Sequence, residues 1–284
     1  MRADQPSGDR YETFRGSPGA GVKAPADPRI IGSLPTEPEP HNRFDRAADA
    51  YVRARPPYPP EVIEWIAATA GLGEEGRVLD LGAGTGDLTV RLAEAGFRVA
   101  AVEPSERMRA ILESRLEGIA VSTDRAEDLT SFDDGGFDLV TAANSLHWFD
   151  PDAAYPEILR VLAPSGHMAV VWHLPDRRDP LQDRLWRLVE RLHADAAPYP
   201  GPTPGGDADW GGRFDVVADK WFELIHPLPR EHLPDYVGSW SGVANLDEAE
   251  KRVLLGEVRG WSIADVVELP FRIHALVGSR SASD

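Results

Sequence analysis

Two rhythms of apolar positions run through the chain. Val78-Leu79 with Leu81, Phe97 to Val102 and Phe137 to Ala142 are short, nearly continuous apolar runs, the pattern of strands buried on both faces. Helix-period apolar spacing alternates with these runs as far as Trp172, which predicts a mostly parallel sheet with helices on both faces. Upstream, Phe44 to Ala54 and Glu61 to Ala70 predict two helices separated by the rigid break Arg55-Pro56-Pro57-Tyr58-Pro59-Pro60. Beyond Trp172 the pattern loosens. Pro180 to Ala194 predicts a helix with Leu181, Leu185, Leu188 and Leu192 on one face, and Tyr199 to Gly212 a Pro/Gly loop. Phe214 to Ile225 has strand character, 231 to 258 predicts two helices, and Pro270 to Gly278 a closing strand. Residues 1–43 are rich in Pro, Gly and charge without sustained periodicity, and predict a disordered tail.

Val78 to Val90 joins a buried strand, a glycine turn and a helix start in one stretch. Gly82, Gly84 and Gly86 let backbone amides approach a ligand and aim a helix N-terminus at it. A dinucleotide fingerprint would need its third glycine at Asp87, and no Gly-Lys-Ser/Thr of a phosphate loop follows. The pattern is instead D-x-G-x-G-x-G, with Asp80 at the strand end. A carboxylate there repels a pyrophosphate and suits an ammonium or sulfonium. The second strand ends on Glu103, placed to accept ribose hydroxyls, and Pro104-Ser105 opens a helix with Ser105 as N-cap and Met108 set to pack on an adenine face.

With VLDLGAGTGDLT, VAAVEPSERM, RAEDL, FDLVTAANSLHWFD, FDRAADAYVRARPPYPPEV and SWSGV together, the chain resembles the class I S-adenosylmethionine-dependent methyltransferases, and within them the small-molecule branch that includes the trans-aconitate methyltransferases. The resemblance is close from about Phe44 to Trp172 and loose afterwards. It implies a Rossmann-like, seven-stranded, mostly parallel sheet under a helical lid, with S-adenosyl-L-methionine as cofactor. It further implies one methyltransferase domain over 44–284, with lid helices at 44–71, a cofactor-binding core at 77–175 and a lid insertion at 228–264. Cofactor contacts are expected from Asp80, Gly82, Gly84, Gly86, Glu103, Pro104, Met108, Arg125, Ala126 and Asn144, the last through its backbone carbonyl. Relatives often carry Asp or Asn where this chain has Arg125, so the adenine amino group is left to Asp124, Glu127 or backbone.

Methyl transfer from a sulfonium is an in-line displacement that chiefly needs the nucleophile held in place and water excluded; a base is optional. His147, just beyond a strand end, is the catalytic candidate, as base or as a group that orients the acceptor, with a structural histidine as the bland alternative. Tyr51, Arg55, Tyr58, Trp148, Trp240 and Ser241 are expected to bind substrate. Arg55 would clamp a carboxylate of cofactor or acceptor, or form a surface salt bridge, and Trp148 and Trp240 serve pocket or core equally well. His173, His226, His232 and His274 lack metal-ligand spacing, and Asp133-Asp134-Gly135-Gly136 reads as a turn rather than a calcium loop, so no metal is expected.

Composition changes the picture in three places. A net charge of −17 disfavours a nucleic-acid partner. The absence of cysteine removes thiolate zinc sites and thiol-dependent methylation of arsenic or cytosine C5. No apolar run approaches the roughly 18 residues of a membrane span, and no signal-peptide core is evident, so a cytoplasmic protein, monomer or homodimer, is expected. The reading is methyl transfer to a small-molecule oxygen, carboxylate ahead of hydroxyl. The alternative is a rearrangement or cyclisation in small-molecule biosynthesis that uses the same pocket without net methyl transfer.

Overall fold

Alternating inward positions along β1 (Arg77–Leu81) explain the layering of the molecule. Leu79 and Leu81 point to one side of the sheet and pack with Ala154, Ile158 and Leu159, while Val78 points to the other and packs with Val62, Ile63, Leu88 and Leu92. Burying each of these side chains stabilises the fold by about 1.5–3 kcal/mol, and a one-residue register slip would exchange the two sets. The computed structural model describes residues 47–191, 210, 212–244 and 246–282, all within one compact unit, Pro38–Asp284. The expected tail 1–43, the start of the first expected helix and most of the expected loop at 199–212 lie outside the described residues.

The sheet has seven strands in the order β3-β2-β1-β4-β5-β7-β6. β2 (Arg98–Val102), β3 (Ala120–Ser122), β4 (Phe137–Ala143) and β5 (Leu162–Pro175) run parallel with β1. β7 (Val266–Arg280) enters antiparallel to both β5 and β6 (Phe214–Pro229). The strand order reverses at β1, between β2 and β4, and a crevice outside the carboxyl ends of such strands is where open α/β sheets take ligands. On the face of Leu79 lies α5 (Pro151–Val161); on the face of Val78 lie α2 (Pro60–Thr69) and α3 (Asp87–Glu94). The remaining helices of the cofactor half are α1 (Ala48–Ala54) and α4 (Glu106–Arg115), the latter capped by Ser105 Oγ, which accepts from Met108 N at 3.2 Å.

A second apolar cluster joins α6 (Pro180–Glu190) to the helices that follow β6, through Leu185, Leu188, Tyr236, Val237, Leu254, Val258 and Phe271. Here the chain departs from the expected pair of helices. It forms a 3-10 turn at Arg230–His232, then α7 (Leu233–Gly238), α8 (Ser241–Ala244) and α9 (Glu248–Arg259). The physical cause is local. Ser239 bonds back through both backbone N–H and hydroxyl to Tyr236 O, and Asp247 opens α9 with a full capping box on Glu250. β6 and β7 are longer than their apolar cores predicted, because they pair with each other along nearly their full length.

Candidate active site

The glycine turn after β1 does two separate things. Gly84, in the left-handed region at φ 58°, directs its amide to Glu103 Oε2 at 2.7 Å, and Ser105 N reaches Glu103 Oε1 at 2.8 Å. Two backbone donors thus fix the carboxylate at the end of β2 while leaving each oxygen a further lone pair. Burial pushes the Glu103 carboxyl above its usual range, against those two bonds. Gly86 is different. It is the left-handed N-cap of α3 at φ 87°, and a Cβ there would run into Leu112. Gly86 does not border the cavity, and its place leaves no room for a side chain against Leu112.

Asp80 is fully enclosed. Oδ1 accepts from Thr141 Oγ1 and Oδ2 from Thr89 Oγ1, both at 2.7 Å. Both donors are neutral hydroxyls, and burial raises the carboxyl to about 6. A buried carboxylate bordering a cavity with only hydroxyl partners is chemically suited to a cationic ligand group. Asp87 and Glu127 border the same end. Glu127 Oε1 accepts from Asp150 N at 2.8 Å. Asp124, one of the residues considered for the adenine amino group, is turned onto Ser131, whose N and Oγ both donate to it at 2.9 Å. Arg125 and Ala126 border the cavity; Asp124 does not. This set of groups, acidic beside a glycine turn with a glutamate fixed at the end of β2, fits S-adenosylmethionine and disfavours a pyrophosphate.

The cavity has a volume of about 580 Å³. Every residue expected to bind cofactor or substrate borders it except Gly86, and so does His147. His147 lies in the 3-10 turn Leu146–Trp148 that follows β4, with ring centroids 4.5 Å from Trp148 and 5.4 Å from Trp172. The residue is exposed, and partial desolvation of its ring lowers the imidazole below its usual value, so it is neutral at pH 7. Arg55 Nε donates to Ser239 Oγ at 3.0 Å and its Nη2 to Ser239 O at 2.9 Å, with the guanidinium over the Tyr51 ring. The Arg55 side chain is half-buried and borders the cavity. Trp240 borders the cavity while packing on Trp186 and Tyr236.

Sequence reasoning missed Trp172, His173, Trp186 and Glu190 on the wall. The carboxyl end of β5 was the available signal for the first two, and the spacing of Trp186 and Glu190 along one face of α6 for the others. It also gave Asn144 a role indifferent to its side chain. The structure gives that side chain two bonds: Oδ1 accepts from His173 N at 2.9 Å, and Nδ2 donates to Tyr58 Oη at 3.0 Å. The backbone of Asn144 is itself left-handed, at φ 52°.

Comparison with known proteins adds a family to this geometry. The family model described as a methyltransferase domain matches residues 79–170. An uncharacterized methyltransferase of Mycobacterium tuberculosis is 41% identical over 204 residues, covering 65% of this chain and 79% of that protein. The trans-aconitate 2-methyltransferase of Variovorax paradoxus is 31% identical over 214 residues, covering 74% of this chain and 77% of the relative. A solved structure from Anaeromyxobacter dehalogenans assigned as a type II methyltransferase aligns with a TM-score of 0.51 at 27% identity, over 80% of this chain and 96% of that one.

Proposed function

The chain belongs to the class I S-adenosylmethionine-dependent methyltransferases, and from that membership we propose that it methylates a small-molecule acceptor at oxygen, a carboxylate ahead of a hydroxyl. S-adenosylmethionine, the family's cofactor, supplies an electrophilic methyl group when bound. In this reading Asp80 holds the ammonium end, Glu103 the ribose, and Met108 with Pro104, Arg125 and Ala126 the adenine. Asn144 contributes from its backbone, and Gly82 and Gly84 admit the ligand close to the turn.

The observation that carries the acceptor class is the electrostatic tuning of the far end of the cavity. Burial holds His173 at about 3 and raises the Tyr58 phenol well above its usual value, and partial desolvation lowers the exposed His147 from its usual value. These groups are neutral at pH 7 and are weak bases. A neutral imidazole of that strength orients an acceptor but barely takes a proton from a phenol or an ammonium. The nucleophile that suits such a site is already ionised at neutral pH, as a carboxylate is. Tyr51, Trp148, Trp240 and Ser241 would wall it, and Arg55 supplies the positive charge. The net charge of −17 adds an argument against nucleic acid as acceptor. The trans-aconitate relative, named for a carboxylic acid acceptor, agrees with this class.

The test is methyl transfer from labelled S-adenosylmethionine to matched panels of carboxylic acids, phenols and amines, with products identified by mass spectrometry. Methyl esters, formed at a rate nearly constant from pH 6.5 to 8.5, are expected. Turnover confined to amines or carbon acceptors, or a rate that climbs with each pH unit, would sink the proposal.

A further inference from the structure

The hydrogen bonds around Asn144 have only one consistent direction. A backbone N–H can only donate, so the His173 amide at 2.9 Å fixes the Asn144 atom facing it as Oδ1. Nδ2 is then the atom that faces Tyr58, and at 3.0 Å it donates to Oη. Tyr58 Oη therefore accepts, and its own proton must point elsewhere. Among the described residues no other hydrogen bond is made at this oxygen. Tyr58 is buried, its ring is stacked on His173 with centroids 4.2 Å apart, and it borders the cavity. The phenol feels the charge of Arg55, which opposes the larger effects of Asp87 and Asp80 across the cavity wall.

We propose that Arg55 and Tyr58 form a carboxylate seat in the cavity wall, and that the Asn144 side chain is the positioning residue that turns the Tyr58 proton toward it. Arg55 presents guanidinium N–H groups beyond the two committed to Ser239. Tyr58 presents one neutral donor. Both sit on the Arg55-Pro56-Pro57-Tyr58-Pro59-Pro60 segment, where prolines fix φ and restrict the residues before them, so little backbone freedom is lost when a ligand docks. The seat rests on the methyltransferase reading. A carboxylate reaches it from one of two sources, the amino-acid end of the cofactor or the acceptor.

The experiment compares wild type, Tyr58→Phe, Asn144→Asp and the double variant by isothermal titration. The probes are S-adenosylhomocysteine, its decarboxylated form, 5′-methylthioadenosine, which lacks the carboxylate, and trans-aconitate added to the S-adenosylhomocysteine-saturated protein. An Asp at 144 accepts from both the His173 amide and the Tyr58 hydroxyl, and so draws the Tyr58 proton away from the cavity. A loss of roughly tenfold or more in S-adenosylhomocysteine affinity, with 5′-methylthioadenosine and decarboxylated S-adenosylhomocysteine, which keeps the ammonium, both unchanged, assigns the seat to the cofactor carboxylate. The same loss confined to trans-aconitate assigns it to the acceptor. Retained 5′-methylthioadenosine binding also reports that the variants are folded. Within the cycle, the Asn144→Asp penalty should shrink at least threefold in the Tyr58→Phe background, because only its direct charge effect remains. An undiminished penalty overturns the positioning role. Wild-type affinity of Tyr58→Phe for both carboxylate probes overturns the seat, whereas a wild type that binds none of the nucleosides overturns the methyltransferase reading as well.

Discussion

Asp80 ties residue chemistry to a measurable ligand. Its carboxyl sits at about 6 because burial penalises the charge more than the Thr89 and Thr141 hydroxyls stabilise it. A cationic group placed beside it favours the ionised form, so the bound state carries a lower value than the free protein. Binding below pH 6 must then expel a proton. The affinity for S-adenosylhomocysteine should fall by roughly tenfold per pH unit as the pH drops below about 6, and stay level above it. Asp80→Asn should bind weakly at all pH values with that slope removed; titration at pH 7.5, 6 and 5 checks this, and a wild-type profile without a slope would separate Asp80 from the ammonium. Asp80 and Glu103 were legible in the sequence because strand ends flank a glycine turn and their place follows from local periodicity. The side-chain role of Asn144 was not. It depends on a left-handed backbone at a non-glycine residue and on partners at Tyr58 and His173, which only the folded chain brings together.

At the scale of elements, the glycine turn separates strain from steric demand. Gly84 and Gly86 both need positive φ, and alanine at either position stores strain on the order of 1–3 kcal/mol. At Gly84 the nearest atom to an added Cβ is Met108 Sδ at 3.6 Å, ordinary contact, whereas at Gly86 the Cβ collides with the fully buried Leu112. Overpacking there adds on the order of 1–3 kcal/mol. Gly86→Ala should therefore lower the melting temperature clearly more than Gly84→Ala; equal shifts would mean that α4 moves freely away from the turn. Most strands and helices from Arg77 to Pro175 were foreseeable because short continuous apolar runs alternate there with helix-period segments, although β3 carries too few apolar residues to announce itself. The helices after β6 were less so. α7 and α8 are short, and the breaks at Ser239 and before α9 at Asp247 come from individual side-chain bonds rather than from a change of hydrophobic period.

For the whole molecule, acid response is a contest between opposing titrations. Buried His173, at about 3, is neutral when folded and takes up a proton when unfolded below about 6.5, so the stability tied to it is fully present only above that range. That stability is lost as the pH falls. Asp80 acts in the opposite sense, because its folded value of about 6 lies above its unfolded one, so acidification relieves the cost of burying its charge. Relief of self-repulsion at a net charge of −17 also favours the folded state on acidification. The absolute slope mixes these terms, and differences between variants separate them. Between pH 6.5 and 5, His173→Gln should gain stability relative to wild type by on the order of 1.5 kcal/mol. Over the same interval Asp80→Asn should lose on the order of 1 kcal/mol relative to wild type. Urea unfolding of the ligand-free protein at the two pH values measures both differences. Parallel pH dependence in all three proteins would show that neither group is buried in its free-energy-determining form, and would remove the basis for a neutral, base-poor acceptor end.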